Sequence, residues 1–323
     1  MSGKGTTAGE IGERGLIRHL RSRFPGMSLV GDDAAWLPPL ACPVVTTDSF
    51  LEGRHFFRWW CDPGVLGRRL LEATLSDLAA MGACPGWVFS ALGLPGDMPV
   101  SWLEGFYGGL TGRRDCPVAG GEIVRSEVFS VTLTAVGEGR DPSLLLRRSG
   151  LRPGDALWVS GRIGRALDAP SLLERSKGLH GPRMDPSEGG LDGGQIEQVR
   201  AFLAPRAEFG KAALLVGAGV GAGIDVSDGL LSEAGHLAVE SGVDTFVDLD
   251  SVPFFGSVED RALEAAAAGE DFVLLAGAQA DMDLAGAGFV RVGRAGRGSG
   301  LLHVMREGSE IDPGGAAGYD HFG

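Results

Sequence analysis

The chain has 323 residues, with 42 Asp and Glu against 29 Lys and Arg and a formal net charge of −13. It therefore offers no basic face to duplex nucleic acid or to an anionic membrane surface, and neither is expected as a partner. No apolar run reaches the roughly 20 residues of a membrane helix. Cys42, Cys61, Cys84 and Cys116 form no Cys-x-x-Cys pair and follow no signal-peptide pattern, so they read as reduced thiols of a cytoplasmic protein.

Residues 10–24 place Ile11, Leu16, Ile17, Leu20 and Phe24 at helical spacing. Val44–Asp48 reads as a short strand ending on a polar tip. Pro63–Met81 carries a stripe of Val65, Leu66, Leu70, Leu71, Leu75, Leu78 and Met81, a helix that Gly82 stops. Trp87–Leu94 is a strand closed by Pro95-Gly96, Ser101–Leu110 a helix, and Val128–Gly137 an alternating, half-buried strand. The turn cluster Leu151-Arg152-Pro153-Gly154-Asp155 precedes a strand at Ala156–Val159, which separates domains at about 1–148 and 149–323. Residues 174–195 are rich in Gly, Pro, Ser and charge and read as a surface insertion. Phe254–Ala268 ends in an alanine-rich helix, followed by a strand over Asp271–Gly277. Strands and helices mix without strict alternation, so the class is α+β.

Five acidic clusters set among small residues run the length of the chain: Asp32-Asp33, Thr46-Thr47-Asp48, Ser76-Asp77, Asp225-Val226-Ser227-Asp228 and Glu270-Asp271. Carboxylates repel one another, whereas a hard cation such as Mg²⁺ gathers them and shares them with phosphate. Each cluster also has a plainer reading. Asp48 could cap a helix, Asp228 or Ser227 could cap the helix that follows, and Glu270-Asp271 could be a solvated turn. Asp77 sits inside an apolar stripe, where burial is costly unless the charge is paired or metal-bound; its plainer reading is a residue that faces water. Gly120-Gly121-Glu122 offers backbone for close approach to a phosphate. Gly217-Ala218-Gly219-Val220-Gly221 imitates a dinucleotide loop, but a strand rather than a helix should follow it. No phosphate-binding P-loop, protein-kinase motif set or zinc-ligand spacing occurs.

Taken in order, these fragments resemble the thiamine-monophosphate kinase family, within the superfamily of aminoimidazole-ribonucleotide synthetase. The resemblance covers nearly the whole chain: Gly12-Glu13, Gly31-Asp32-Asp33-Ala34, Thr47-Asp48, His55-Phe56, Leu75-Ser76-Asp77-Leu78 through Ala83, Arg148-Ser149-Gly150, Asp225-Val226-Ser227-Asp228-Gly229, Gly269-Glu270-Asp271 and Gly318-Tyr319-Asp320-His321-Phe322. It implies an N-terminal domain that forms a homodimer through its sheet and a C-terminal domain that closes the site. It also implies transfer of the ATP γ-phosphoryl group to thiamine monophosphate, with several Mg²⁺ ions and no catalytic side chain.

By that resemblance Asp33, Thr46, Thr47, Asp48, Asp77, Glu122, Asp225 and Asp228 are metal ligands. Gly121, Glu122, Arg148 and Ser227 contact ATP, and His55, Glu270 and Tyr319 contact the thiamine substrate. Glu122 departs from the Asp usual in the family, and the segment 174–195 has no counterpart in its pattern. The competing expectations are a sister ATP-dependent synthetase of the superfamily and a non-catalytic nucleotide-binding regulator.

Overall fold

The computed structural model describes residues 6–31, 33–176 and 190–314. An N-terminal helix, α1 (Ala8–Arg23), starts at Thr7, whose side chain and that of Glu10 each bond the other's backbone N–H. Then come β1 (Pro43–Leu51), α2 (Pro63–Ala80), β2 (Cys84–Leu94), α3 (Val100–Leu110), β3 (Val118–Arg125) and β4 (Ser130–Glu138). Their strands form a four-stranded sheet in the order β1-β4-β2-β3, antiparallel except for the β2–β3 pair. The alternation foreseen for β4 is present: Val131, Leu133 and Ala135 are buried and the residues between them half-buried. That inner face packs against α2, whose Leu66, Leu70, Leu71, Leu75 and Leu78 are almost completely buried.

Beyond residue 150 the elements are β5 (Ala156–Val159), α4 (Ala169–Arg175), α5 (Gly193–Leu203), α6 (Phe209–Gly217), β6 (Ala222–Asp225), α7 (Leu230–Ser241), β7 (Asp244–Asp248), α8 (Ala262–Ala267), β8 (Leu274–Ala278), β9 (Val290–Gly296), β10 (Leu302–Arg306) and β11 (Ser309–Ile311). Seven strands form a second sheet in the order β11-β10-β7-β9-β5-β8-β6. Its central strands are buried on both faces. Ala156, Trp158, Leu274 and Ala276 join the core that includes α2, while Leu157, Val159 and Leu275 join α7 on the other side. The architecture is α+β, as the mixed pattern implied, and the sheets divide the chain between Glu138 and Ala156.

Several local expectations need correction. β1 does not end at Asp48 but runs on to Leu51, because Thr47 and Ser49 face outward and pair with Thr134 and Thr132 on β4. Neither Ser227 nor Asp228 caps α7. Its first residues follow Gly229, and Glu233 instead accepts bonds from the Ser227 hydroxyl (3.2 Å) and the Asp228 N–H (3.0 Å). The segment 174–195 is in part helical, at the end of α4 and the start of α5, and its residues 177–189 lie outside the described residues. Among the described residues no helix is long and apolar enough to cross a membrane.

Candidate functional site

Two loops of the second sheet are clamped backbone to backbone. The Glu270 N–H donates to Ser227 O (2.6 Å), the Phe272 N–H to Val226 O (2.8 Å), and the Val226 N–H to Val273 O (2.8 Å). A Cβ at Gly269 would lie 2.3 Å from Ser227 O, and one at Gly229 2.5 Å from Ala267 O, so both positions need glycine. Within this clamp Glu270 and Phe272 adopt φ of 60° and 48°, a left-handed backbone that costs such side chains energy and collects at functional sites.

Facing that clamp is the inner side of the first sheet. The alternation of β1 turns Thr46, Asp48 and Phe50 toward α2, and α2 brings Asp77 in its last turn. The Thr46 hydroxyl donates to Asp77 Oδ2. Asp225, the last residue of β6, completes a group of three carboxylates that act on one another. Burial, then Asp77, pushes Asp48 up to about 6. Burial raises Asp77 as well, opposed by the Thr46 bond and by Arg148. Asp225 is 3 % exposed and is raised well above the ordinary range by burial, then by Asp77. The Thr74 and Ser76 hydroxyls of α2 stop short of well-formed hydrogen bonds, yet each favours the ionised form of its neighbour, Asp48 and Asp225 respectively. Asp225 Oδ2 is buried with no hydrogen-bond partner.

A cavity of about 640 Å³ opens beside these carboxylates. It is lined by Asp48, His55, Asp77, Asp225, Ser227, Asp228 and Glu270 of the expected set, together with Phe50, Arg54 and Phe272. Both sheets therefore contribute. His55 Nδ1 accepts the Leu51 N–H (3.0 Å), and its ring meets Phe50 edge-on at 6.2 Å.

Other expected residues lie elsewhere. Thr47 bonds Thr134 on the outer sheet face at 2.9 Å. Gly121 and Glu122, on β3, line a separate cleft with Tyr107, and Glu122 also lines one with Gly12. Asp33 is exposed in the loop before β1 and lines none of these cavities. Arg148 does not line the aspartate cavity but acts electrostatically on Asp77. Tyr319 lies outside the described residues. Asp271 turns away from the cavity and is fully buried. It accepts N–H bonds from Gly164 (2.9 Å) and Arg165 (2.9 Å), and burial still pushes it up to about 7.

Sequence reasoning missed Arg69. This residue of α2 is 1 % exposed, donates to Glu270 Oε1 (2.8 Å) and to Phe202 O (3.1 Å), and lies 4.3 Å over the Phe202 ring. A cation three residues after Leu66, inside the same apolar stripe that made Asp77 conspicuous, was the available signal. Among the described residues no three His, Cys, Asp or Glu side chains stand close enough to chelate a metal unaided. The orphaned Asp225 Oδ2 and the mutual repulsion of Asp48, Asp77 and Asp225 nevertheless fit a hard cation that phosphate oxygens would help to coordinate.

Residues 31–138, which contain the whole four-stranded sheet, match the family described as AIR synthase related protein, N-terminal domain. The first sheet and its helices thus form a domain of the AIR synthase-related class. A thiamine-monophosphate kinase of Synechococcus elongatus is 34 % identical over 279 residues, covering 82 % of this chain and 81 % of that one. The crystal structure of thiamine-monophosphate kinase from Stenotrophomonas maltophilia K279a superposes with a TM-score of 0.76 at 32 % identity, covering 92 % of this chain and 96 % of the other. AaThiL complexed with AMPPCP and TMP superposes at 0.74 with 28 % identity, covering 97 % and 98 %. The chain belongs to the thiamine-monophosphate kinase family.

Proposed function

We propose that this protein transfers the γ-phosphoryl group of ATP to thiamine monophosphate, giving thiamine diphosphate and ADP. The observation that carries the reading is the meeting of Asp48 from β1, Asp77 from α2 and Asp225 from β6 around one cavity, in a chain of this family. The problem the site must solve is electrostatic. Bringing two phosphate anions to ~4 Å costs about 4 kcal/mol per unit charge pair at an effective dielectric near 20. The accepting phosphate oxygen is already ionised, so positioning and charge compensation suffice and no catalytic base is needed.

Asp48, Asp77, Asp225 and Asp228 are the residues we assign to Mg²⁺, with Thr46 as a further ligand; Asp33, Thr47 and Glu122, which lie away from this cavity, are assigned as further or water-mediated ligands on the family resemblance alone. Bound there, Mg²⁺ would neutralise phosphate charge and orient the two phosphates for direct in-line transfer. Arg148 and Ser227 hold ATP, and Gly121 and Glu122, which line other clefts, join them on the family resemblance alone. Arg148 already favours the ionised Asp77, and the Ser227 hydroxyl is oriented by Glu233. Glu270, Tyr319 and His55 hold the thiamine side, Glu270 being fixed by Arg69 and by its own left-handed backbone.

Residues 1–148 and 149–323 act as two domains, and the protein works as a homodimer through the exposed row of the first sheet. Purified protein given ATP and thiamine monophosphate should form ADP and thiamine diphosphate in equal amounts. Excess chelator should stop turnover and Mg²⁺ restore it. ADP release that does not depend on thiamine monophosphate, or turnover that survives chelation, overturns the assignment.

A further inference from the structure

The principal cavity is lined by Asp48, Asp77, Asp225, Asp228 and Glu270, and Arg54 is the only Arg or Lys among its lining residues. Every other strong charge there repels a phosphate. Arg54 is exposed, and its side chain makes no hydrogen bond or ion pair among the described residues. Of the arginines near the cavity that do not line it, Arg69 is already committed to Glu270 and Phe202, and Arg148 acts on Asp77.

Arg54 is nonetheless not loosely held at its backbone. Its N–H donates to Leu51 O (3.1 Å), the neighbouring His55 N–H donates to the same oxygen (3.0 Å), and the Gly53 N–H donates to Phe56 O (2.8 Å). The Leu51 N–H donates to His55 Nδ1. Phe56 is fully buried and meets Phe129 edge-on at 5.7 Å, so the turn is pinned from below. The guanidinium is thus carried on a rigid turn at the His55–Phe50 end of the cavity. A guanidinium presents paired N–H donors in the geometry that phosphate oxygens accept, and loses little on forming the pair.

We infer that Arg54 binds the phosphate of the acceptor substrate, thiamine monophosphate. The aspartates and Arg148 take the ATP side of the transfer, and Arg54 supplies positive charge for the second anion. This rests on the functional reading above. Since Arg54 is exposed and unpaired among the described residues, replacing it should leave the fold intact, and the effect should fall on one substrate.

The test is steady-state kinetics of Arg54→Gln and Arg54→Lys at saturating Mg²⁺, with each substrate varied in turn, alongside melting temperatures. Losing a charge-assisted hydrogen bond predicts about a 10–100-fold rise in KM for thiamine monophosphate in Arg54→Gln. KM for ATP should stay within about twofold, the melting temperature should not move, and Arg54→Lys should recover part of the loss. An unchanged KM for thiamine monophosphate overturns the inference, as does a rise in the ATP constant alone or in both constants equally. Wild-type protein without thiamine-monophosphate-dependent ADP formation instead refutes the functional reading itself, so the two failures are separable.

Discussion

Asp77→Asn separates the electrostatic burden of the site from its use. The substitution keeps shape and leaves an oxygen to accept the Thr46 hydroxyl, but removes the charge that raises both Asp48 and Asp225. Asp48 stands at about 6 in the folded protein against 3.8 as a free side chain, roughly 3 kcal/mol in all at about 1.4 kcal/mol per unit. Burial is the larger cause and Asp77 the second, so Asp77 accounts for the smaller part of this, with a further part at Asp225.

The sign follows from linkage. A carboxyl raised by folding contributes stability below its unfolded pKa, and that contribution is lost as pH rises through the folded value. Metal-free Asp77→Asn should therefore match the wild type near pH 4 and exceed it by about 0.5–1.5 kcal/mol above pH 6, after the weaker Thr46 bond is allowed for. The assay is urea unfolding in chelator across that range. Adding Mg²⁺ with an ATP analogue should reverse the order, because ligation stabilises only the intact site. The same variant should lose at least ~10² in kcat/KM, about 2.7 kcal/mol. A variant less stable than wild type by more than ~1 kcal/mol at neutral pH, with activity intact, refutes the reasoning: Asp77 would then be a structural acceptor and no part of a cation site.

Arg69→Met should cost about 2–4 kcal/mol in urea unfolding, since it strips the Phe202 carbonyl of its donor and leaves Glu270 without its partner, although Glu270 retains some water. A double-mutant cycle with Glu270→Gln should return a coupling of about 1–3 kcal/mol, and additive effects would mean the pair is incidental. Asp271→Asn should cost about 1–3 kcal/mol at pH 5, where the buried carboxyl is protonated, and less above its pKa of about 7, where only the wild type carries the costly buried charge. One amide oxygen can take both backbone N–H bonds, as Oδ1 does, but the NH2 in place of Oδ2 faces the Gly164 N–H. Unfolding of that variant at wild-type denaturant concentration would contradict this account.

Elements held by local periodicity were legible in the sequence. The leucine stripe of α2 and the alternation of β4 each show, within one segment, which face is buried. β3 was missed because Gly120-Gly121 mutes the strand pattern, and β7, β9, β10 and β11 because they are short and largely polar-faced, with Arg291 and Arg294 on β9. The acidic motifs and their order revealed the family and the kind of chemistry. They did not reveal which carboxylates meet. Asp48, Asp77 and Asp225 converge while Asp271, in an equally acidic motif, turns inward to hold a loop, and Arg69 finds Glu270 201 residues along the chain. Those pairings depend on how two sheets bury their faces against α2. Spacing within a helix or strand reports only neighbours a few residues apart, so the composition of the site was written in the sequence and its geometry was decided by packing between the two halves.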